Sequence, residues 1–307
     1  MNKASKFLLI FLLLLSKQVL SNKIDALKTD QEVNEFVKTT NPTFAEDKYA
    51  KFEIQTTDSI AKYLDCSGIF KSWDIKNWEK ADITNDGRTD LVFVAYWYDY
   101  ISYALIDTGN DTFKLIRLAK DPFDHCQLFK TVKAGSTNYL KIFRKITEPD
   151  TTDKQPFSYK EVTMIDTLIF KFDSFIELSR AKNPGNEIES IEINTGYCFG
   201  SCPVFTLKLS KDGMADFEGI AFTKYKGKSS KKLPQKYFKE LKGLANYIDV
   251  KELKNNYSVN WTDDQTSTLT IIFKDHSRKV IRDYGMQGTF GLSAMYTKLK
   301  KIGTEWN

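Results

Sequence analysis

Leu91-Val92-Phe93-Val94-Ala95-Tyr96-Trp97-Tyr98-Asp99-Tyr100-Ile101-Ser102-Tyr103 sets the fold class. Val, Ile, Phe, Tyr and Trp dominate it, and these are the side chains that fit a pleated, half-buried surface. Before this stretch the apolar period is helical. Thr29-Asp30-Gln31-Glu32 has the form of a capping box, and Val33, Phe36 and Val37 make an apolar stripe within 24–38. Asn41-Pro42 closes that helix, and Ile60 and Leu64 mark a second short helix over 57–66, with Gly68 after it. Trp73, Ile75 and Trp78 predict an extended core segment. After the quoted stretch, Thr112–Leu118, Tyr139–Ile146 and Val162–Phe172 alternate, and Asp173-Ser174 predicts a hairpin turn into Phe175–Leu178. The first half therefore reads as a helical segment followed by an antiparallel β-meander.

The second half reads β-β-β-α-β-β-α. Glu187–Asn194 and Val204–Leu209 alternate, and Lys211-Asp212-Gly213 is a hairpin turn. Pro234 suits the first turn of a helix that carries Tyr237, Phe238, Leu241, Leu244 and Ile248 on one face. Thr268–Phe273 and Lys279–Tyr284 predict a second hairpin, and Leu292, Met295, Leu299 and Ile302 a closing helix. Between the halves, 179–186 is polar and contains Pro184-Gly185. The expectation is an α+β protein of two domains, 22–178 and 187–307, joined by a linker at 179–186. A length of 307 residues fits two cores better than one.

Residues 1–21 read as a secretory signal peptide. Lys3 and Lys6 precede the apolar run Phe7–Leu15, which is too short to span a bilayer, and Val19 and Ser21 suit a cleavage site. No later stretch approaches membrane length. The expected location is periplasmic or extracellular. The formal charge of +5 then changes meaning: without Lys3, Lys6 and Lys17 the chain has 42 basic against 40 acidic side chains. An oxidising compartment and an even cysteine count favour disulfides. Of the three possible connectivities, Cys66–Cys126 with Cys198–Cys202 keeps each bridge inside one half.

Asp82-Ile83-Thr84-Asn85-Asp86-Gly87-Arg88-Thr89-Asp90 has the oxygen spacing of a cation-binding turn, with Gly87 where a sharp bend is needed. Phe93 stands where a helix-loop-helix calcium site has Glu, and a strand follows. Over about twelve residues the turn resembles those of FG-GAP propeller repeats, but it occurs once. Two readings stand: an Asx-rich turn leading into a strand, or a structural calcium site at Asp82, Thr84, Asp86 and Asp90.

Tyr197-Cys198-Phe199-Gly200-Ser201-Cys202-Pro203-Val204-Phe205 is the most unusual segment. Together with Gly219, the helix around Phe238–Leu244, Trp261-Thr262-Asp263 and the closing hairpin and helix, it resembles a bacterial domain-of-unknown-function family with a Cys-Phe-Gly-x-Cys-Pro signature. That resemblance covers about 186–307 and implies export and a paired cysteine turn, with no activity attached. Cys-x-x-x-Cys-Pro also occurs in Sco-type copper chaperones, where two thiolates and a distant His hold copper. His125 and His276 are the only histidines available for that role. A strand after the cysteines, where that family has a helix, opposes it.

Eight lysines, at 224, 226, 228, 231, 232, 236, 239 and 242, face one acid, Glu240, within nineteen residues. Lys224, Lys226, Lys228, Lys231, Lys232 and Lys236 are the candidate contacts for an anionic envelope component or polysaccharide; the alternative is a solvated loop and helix face. Nucleic acid is not expected, since no recognition motif is present. Tyr96–Tyr103 reads either as a sugar-binding aromatic strip or as a strand packing one face into a core. No nucleophile elbow, zinc helix or phosphate loop is present. The sequence therefore predicts an exported bacterial binding or envelope-associated module without catalytic residues. A thiol-redox or copper protein using Cys198 and Cys202, and a glycan-active enzyme with two opposed carboxylates, are the alternatives.

Overall fold

The computed structural model describes residues 22–120, 126–150, 152–153, 155, 158–179 and 185–307, without the side chains at 147 and 149. The signal-peptide reading, His125 and most of the linker lie outside the described residues.

The chain opens with helices α1 (Lys23–Ala26), α2 (Asp30–Thr40), α3 (Thr43–Glu46), α4 (Thr57–Tyr63) and α5 (Ile69–Ser72). Thr29 caps α2 and forms the expected capping box with Glu32, and Val33 and Val37 are buried beneath it. The single helix expected over 24–38 is two, because Asn22 starts its own capping box with Asp25 and Leu27 leaves the helix.

The meander is two four-stranded antiparallel sheets. The first contains β1 (Trp78–Ala81), β2 (Asp90–Trp97), β3 (Asp99–Gly109) and β4 (Thr112–Arg117) in that order. The second contains β5 (Leu128–Ala134), β6 (Thr137–Pro149), β7 (Tyr159–Lys171) and β8 (Ser174–Glu177), also in order. The aromatic run folds back at Tyr98, whose φ is 63°, so Trp97 faces Asp99 across the turn. β2 is apolar at nearly every position because both of its faces are covered. Leu91, Phe93 and Ala95 pack under the N-terminal helices with Ile24, Val33 and Phe52, while Val92 faces the second sheet with Phe129 and Leu140.

The C-terminal half is one seven-stranded sheet with two helices on one face. Its elements are β9 (Ile188–Thr195), β10 (Val204–Ser210), β11 (Met214–Ala221), β12 (Gly227–Lys232), α6 (Gln235–Tyr247), β13 (Asn256–Ser258), β14 (Thr266–Phe273), β15 (Arg278–Tyr284) and α7 (Phe290–Thr304). The strand order is β12-β11-β10-β9-β14-β15-β13, antiparallel except for β13 against β15. Phe238, Leu241 and Leu244 of α6 and Leu292, Met295 and Leu299 of α7 bury against Ile191, Ile193, Phe205, Leu207, Leu269 and Ile271.

Two strands here exceed the expected pattern. β13 has three residues, and β12 (Gly-Lys-Ser-Ser-Lys-Lys) has no apolar residue at all. Only its ladder with β11 makes β12 a strand, and lysines are what a sheet edge tolerates.

The α+β, two-domain layout is what the structure shows. Each half also lends a side chain to the other: Ile176 of β8 sits in the C-terminal core and Phe290 of α7 in the core between the four-stranded sheets. Among the described residues, no helix is long and apolar enough to cross a membrane.

Candidate functional site

The cysteines pair at disulfide distance in the two halves. Cys66 and Cys126 have Cα atoms 5.4 Å apart, and Cys198 and Cys202 have theirs 5.9 Å apart. The Cys198 turn is held from below. Buried Gln265 donates to the carbonyls of Gly196 and Pro203 at 2.8 and 2.9 Å, and the Phe199 amide donates to the Asp263 carbonyl at 3.0 Å. Gly200 has φ 143°, a conformation that favours glycine, and Phe199 projects 87% exposed. His276 lies beyond the opposite end of β14 from this turn, since Gly196 bonds Thr266 and His276 bonds Phe273. A strand of that length separates them by about 23 Å. The structure therefore does not bring the two thiols and that imidazole together.

The Asp-rich turn uses its carboxylates internally. Asp82 accepts from the amides of Asp86 and Gly87, both at 2.9 Å. Asp86 accepts from the Arg88 amide and pairs with the Arg88 guanidinium. Asp90 is fully buried and accepts from the amides of Thr84 and Asp107 at 3.1 and 2.9 Å. Burial pushes its carboxyl up to about 7, against the opposing pull of those two amides. Asn85 and Asn138 lock the turn to the β5–β6 hairpin: the Asn138 amide donates to Asn85 Oδ1 at 2.7 Å, and Asn85 Nδ2 donates to the Asn138 carbonyl at 3.0 Å. Among the described residues, no group of three or more His, Cys, Asp or Glu is arranged to hold a metal.

The lysine cluster disperses. Lys224 and Lys226 sit in the short connection between β11 and β12. On β12, Lys228 and Lys232 share one face and Lys231 takes the other. Lys228 stands opposite Glu218 of β11. Lys231 lies 4.1 Å above the Trp306 ring and bonds Asn307. Lys236 lies in the first turn of α6, and farther along Lys242 pairs with Glu187 at 2.8 Å. These residues do not converge on one point.

A denser basic site, not visible in the sequence, lies between the two halves. Its cleft encloses about 480 Å³. One wall is β6 and β7, with Arg144, Lys145, Glu148 and Lys160; the other is β13, β15 and the loops beside them, with Lys254, Tyr257, Trp261, Arg282 and Asp283. Lys120 closes the base. Six basic side chains thus meet two acids. Glu148 is paired with Lys254 at 2.8 Å, and buried Asp283 accepts from the amides of Gln287 and Gly288 at 3.2 and 2.9 Å.

Lys120 fixes the joint between the halves. Its ammonium donates to the carbonyls of Gln287 and Gly288 at 3.0 and 3.3 Å and lies 4.8 Å from the Phe290 centroid, with Arg144 on the same ring at 5.2 Å. Its ammonium end is enclosed although the residue as a whole is only half-buried; burial, with Arg144 beside it, pushes it down to about 7. Burial likewise raises Asp283 and Tyr257 above their ordinary values. A cleft holding several perturbed ionisable groups is where binding chemistry is first sought.

β12 and β13 are opposite edges of the seven-stranded sheet, about 29 Å apart at six strand spacings. The contiguous lysines and the cleft are therefore separate surfaces. Of the motif residues singled out in the sequence, Trp261 lines the cleft, and the strand segments Tyr139–Ile146 and Lys279–Tyr284 supply Arg144, Lys145, Arg282 and Asp283.

Residues 189–303 match a domain of unknown function, DUF6438, over less than half of the 307-residue chain. No curated protein and no solved structure matches the chain.

Proposed function

We propose that the protein is an exported, non-enzymatic binding module whose cleft between the two halves takes an anionic ligand. The observation that carries this reading is the convergence of six basic side chains, drawn from both halves, on one cavity; after Lys254 pairs with Glu148 and Lys145 with Glu161, Arg144, Lys160 and Arg282 still line it beside Lys120. Enclosed walls strengthen such a field relative to bulk water. Tyr257 and Trp261 add flat apolar surface of the kind that orients a ligand. The engagement of Glu148 and Asp283 disfavours the glycan-active alternative, which needs two carboxylates facing a substrate. The pairing of Cys198 with Cys202, and the distance to His276, disfavour the copper and thiol alternative.

Export rests on Lys3, Lys6, Phe7–Leu15, Val19 and Ser21, and the two cysteine pairs suit that destination. N-terminal sequencing of secreted protein tests it, with Asn22 as the expected first residue. We place the boundary between the modules at 179–186, where β8 has ended and β9 has not begun. The lysines of β12 and its flanks form a second, outer surface for anionic envelope material.

Isothermal titration of the purified protein tests the cleft, using inorganic phosphate and polygalacturonate as probes. Saturable binding is expected, weakened by salt and lost in a Lys160→Ala, Arg282→Ala double variant. Absence of binding by both probes at low salt overturns the reading.

A further inference from the structure

We propose that a second cavity, the groove between β4 and the helix pair α6–α7, binds an anionic amphiphile: an acyl or alkyl chain ending in a carboxylate or phosphate. The groove encloses about 710 Å³, and small-molecule sites span roughly 300–1,000 Å³. Along α7, Phe290, Ala294, Thr297 and Lys301, continued by the C-cap residue Glu305, line it at a spacing of three and four that makes one continuous stripe, flanked by Ser293, Lys298 and Ile302. α6 adds Tyr237 and Leu241, and β4, the outermost strand of its sheet, supplies the opposite wall. The wall is largely apolar: half-buried Leu115, Ile116, Leu233 and Ile302 line it, backed by buried Leu241 and Trp306.

Charge selects the head group. Six basic and three acidic side chains line the groove. Two of the acids are already matched, Asp173 by Lys114 at 2.6 Å and Glu240 by Lys298 at 2.5 Å. Lys120 is committed to the carbonyls of Gln287 and Gly288. Arg117 and Lys301 then face Glu305 at the rim, beside Lys231, which bonds Asn307 O and Oδ1 at 3.2 and 3.3 Å. Lys231 is seated over Trp306, whose buried indole N–H has no hydrogen-bond partner among the described residues. A free phosphate or carboxylate satisfies only the rim, and a neutral alkyl chain satisfies only the wall. An anionic head on an apolar chain satisfies both. This reading is independent of the anion cleft, which shares only Lys120 with the groove.

The test is displacement of a fluorescent fatty acid, cis-parinarate, from the purified protein below micellar concentrations. Dodecanoate and dodecyl phosphate are expected to displace it. Dodecyl maltoside is expected to be at least about tenfold weaker, and inorganic phosphate inert. Bromododecanoate is expected to quench tryptophan emission, with most of the quenching lost in Trp306→Phe. Thr297→Trp, which fills the groove from an exposed helix position, and Lys231→Ala with Lys301→Ala are each expected to weaken displacement by about tenfold or more at unchanged far-ultraviolet circular dichroism. No saturable binding by the folded wild type overturns the proposal. So does equal affinity for the maltoside, undiminished binding in Thr297→Trp, or occupation of the groove by an acidic peptide that dodecanoate cannot displace.

Discussion

Glu177, the last residue of β8, caps helix α7. Its carboxylate accepts from the Phe290 amide at 2.5 Å and the Gly291 amide at 2.9 Å, at the start of α7. Thr289 completes the cap: its hydroxyl oxygen accepts from the Leu292 amide at 3.0 Å. A helix begins with amides that lack internal partners, and its N-terminus carries partial positive charge. Here the missing partner comes from the other half of the chain. Gly291 is required at this point, because a Cβ there would overlap Ile248. Beside it, Phe290 carries Lys120 and Arg144 on its ring, so the start of α7, the floor of the cleft and the end of the groove are one structure.

Glu177→Ala should therefore lower stability by about 2 kcal/mol, the range for an anion bonded to a partly buried helix N-terminus. Glu177→Gln keeps one acceptor and should cost less. Urea unfolding monitored by circular dichroism measures both. Wild-type stability in the alanine variant would show that the cap does not hold the halves together.

Much of this arrangement was legible, and the division follows physics. The capping box at Thr29 and the stripes of α6 and α7 could be read because each is a local pattern whose period survives in the fold. β12 could not, because its pattern contains no apolar residue and the strand is made by its neighbour. The lysine run was conspicuous in sequence, yet a strand sends successive side chains to opposite faces, so contiguity became dispersion. The cleft shows the converse. Lys120, Arg144, Lys160, Lys254 and Arg282 are scattered along the chain, and only the docking of the halves gathers them.

The two cysteine pairs close loops of very different length, with sequence separations of 60 and 4. Chain entropy alone gives about 4 kcal/mol for the long loop and about 2 kcal/mol for the short one. Cys66→Ala with Cys126→Ala should thus unfold at clearly lower urea than Cys198→Ala with Cys202→Ala. Thiol titration of the native protein should find no reactive cysteine. An inverted order of stability would mean that the short turn constrains more than its own five residues.

Asp82, Asp86 and Asp90 each have both carboxylate oxygens engaged by protein donors. A calcium ion would have to displace those donors. Millimolar calcium or a chelator should therefore move the thermal midpoint by less than about 1 °C. The turn's stabilising element is instead Asn85, paired both ways with Asn138. Asn85→Gly, which tolerates the φ of 62° but has no side chain, should cost about 1–3 kcal/mol. A calcium-dependent midpoint would return the turn to a metal-binding reading.

Asp90 and Lys120 together give the protein an unusual pH profile. Folded Asp90 keeps its proton up to about pH 7, against an ordinary value of 3.8. Folding takes up a proton between those values, so stability falls as pH rises from about 4 to 7, by up to about 4 kcal/mol, and Asp283 shifts in the same direction. Lys120 does the reverse. Folded, it releases its proton near pH 7, against an ordinary value of 10.5, so stability rises as pH rises from about 7 to 10.5. Stability should accordingly pass through a minimum near neutrality. Urea midpoints measured from pH 4 to 10 test this. Lys120→Met should flatten the alkaline limb, and Asp90→Asn should reduce the slope of the acid limb whatever it does to overall stability. A single maximum near pH 7 in the wild type would refute both assignments, because the acid would then ionise as freely in the folded chain as in the unfolded one and the amine would keep its proton.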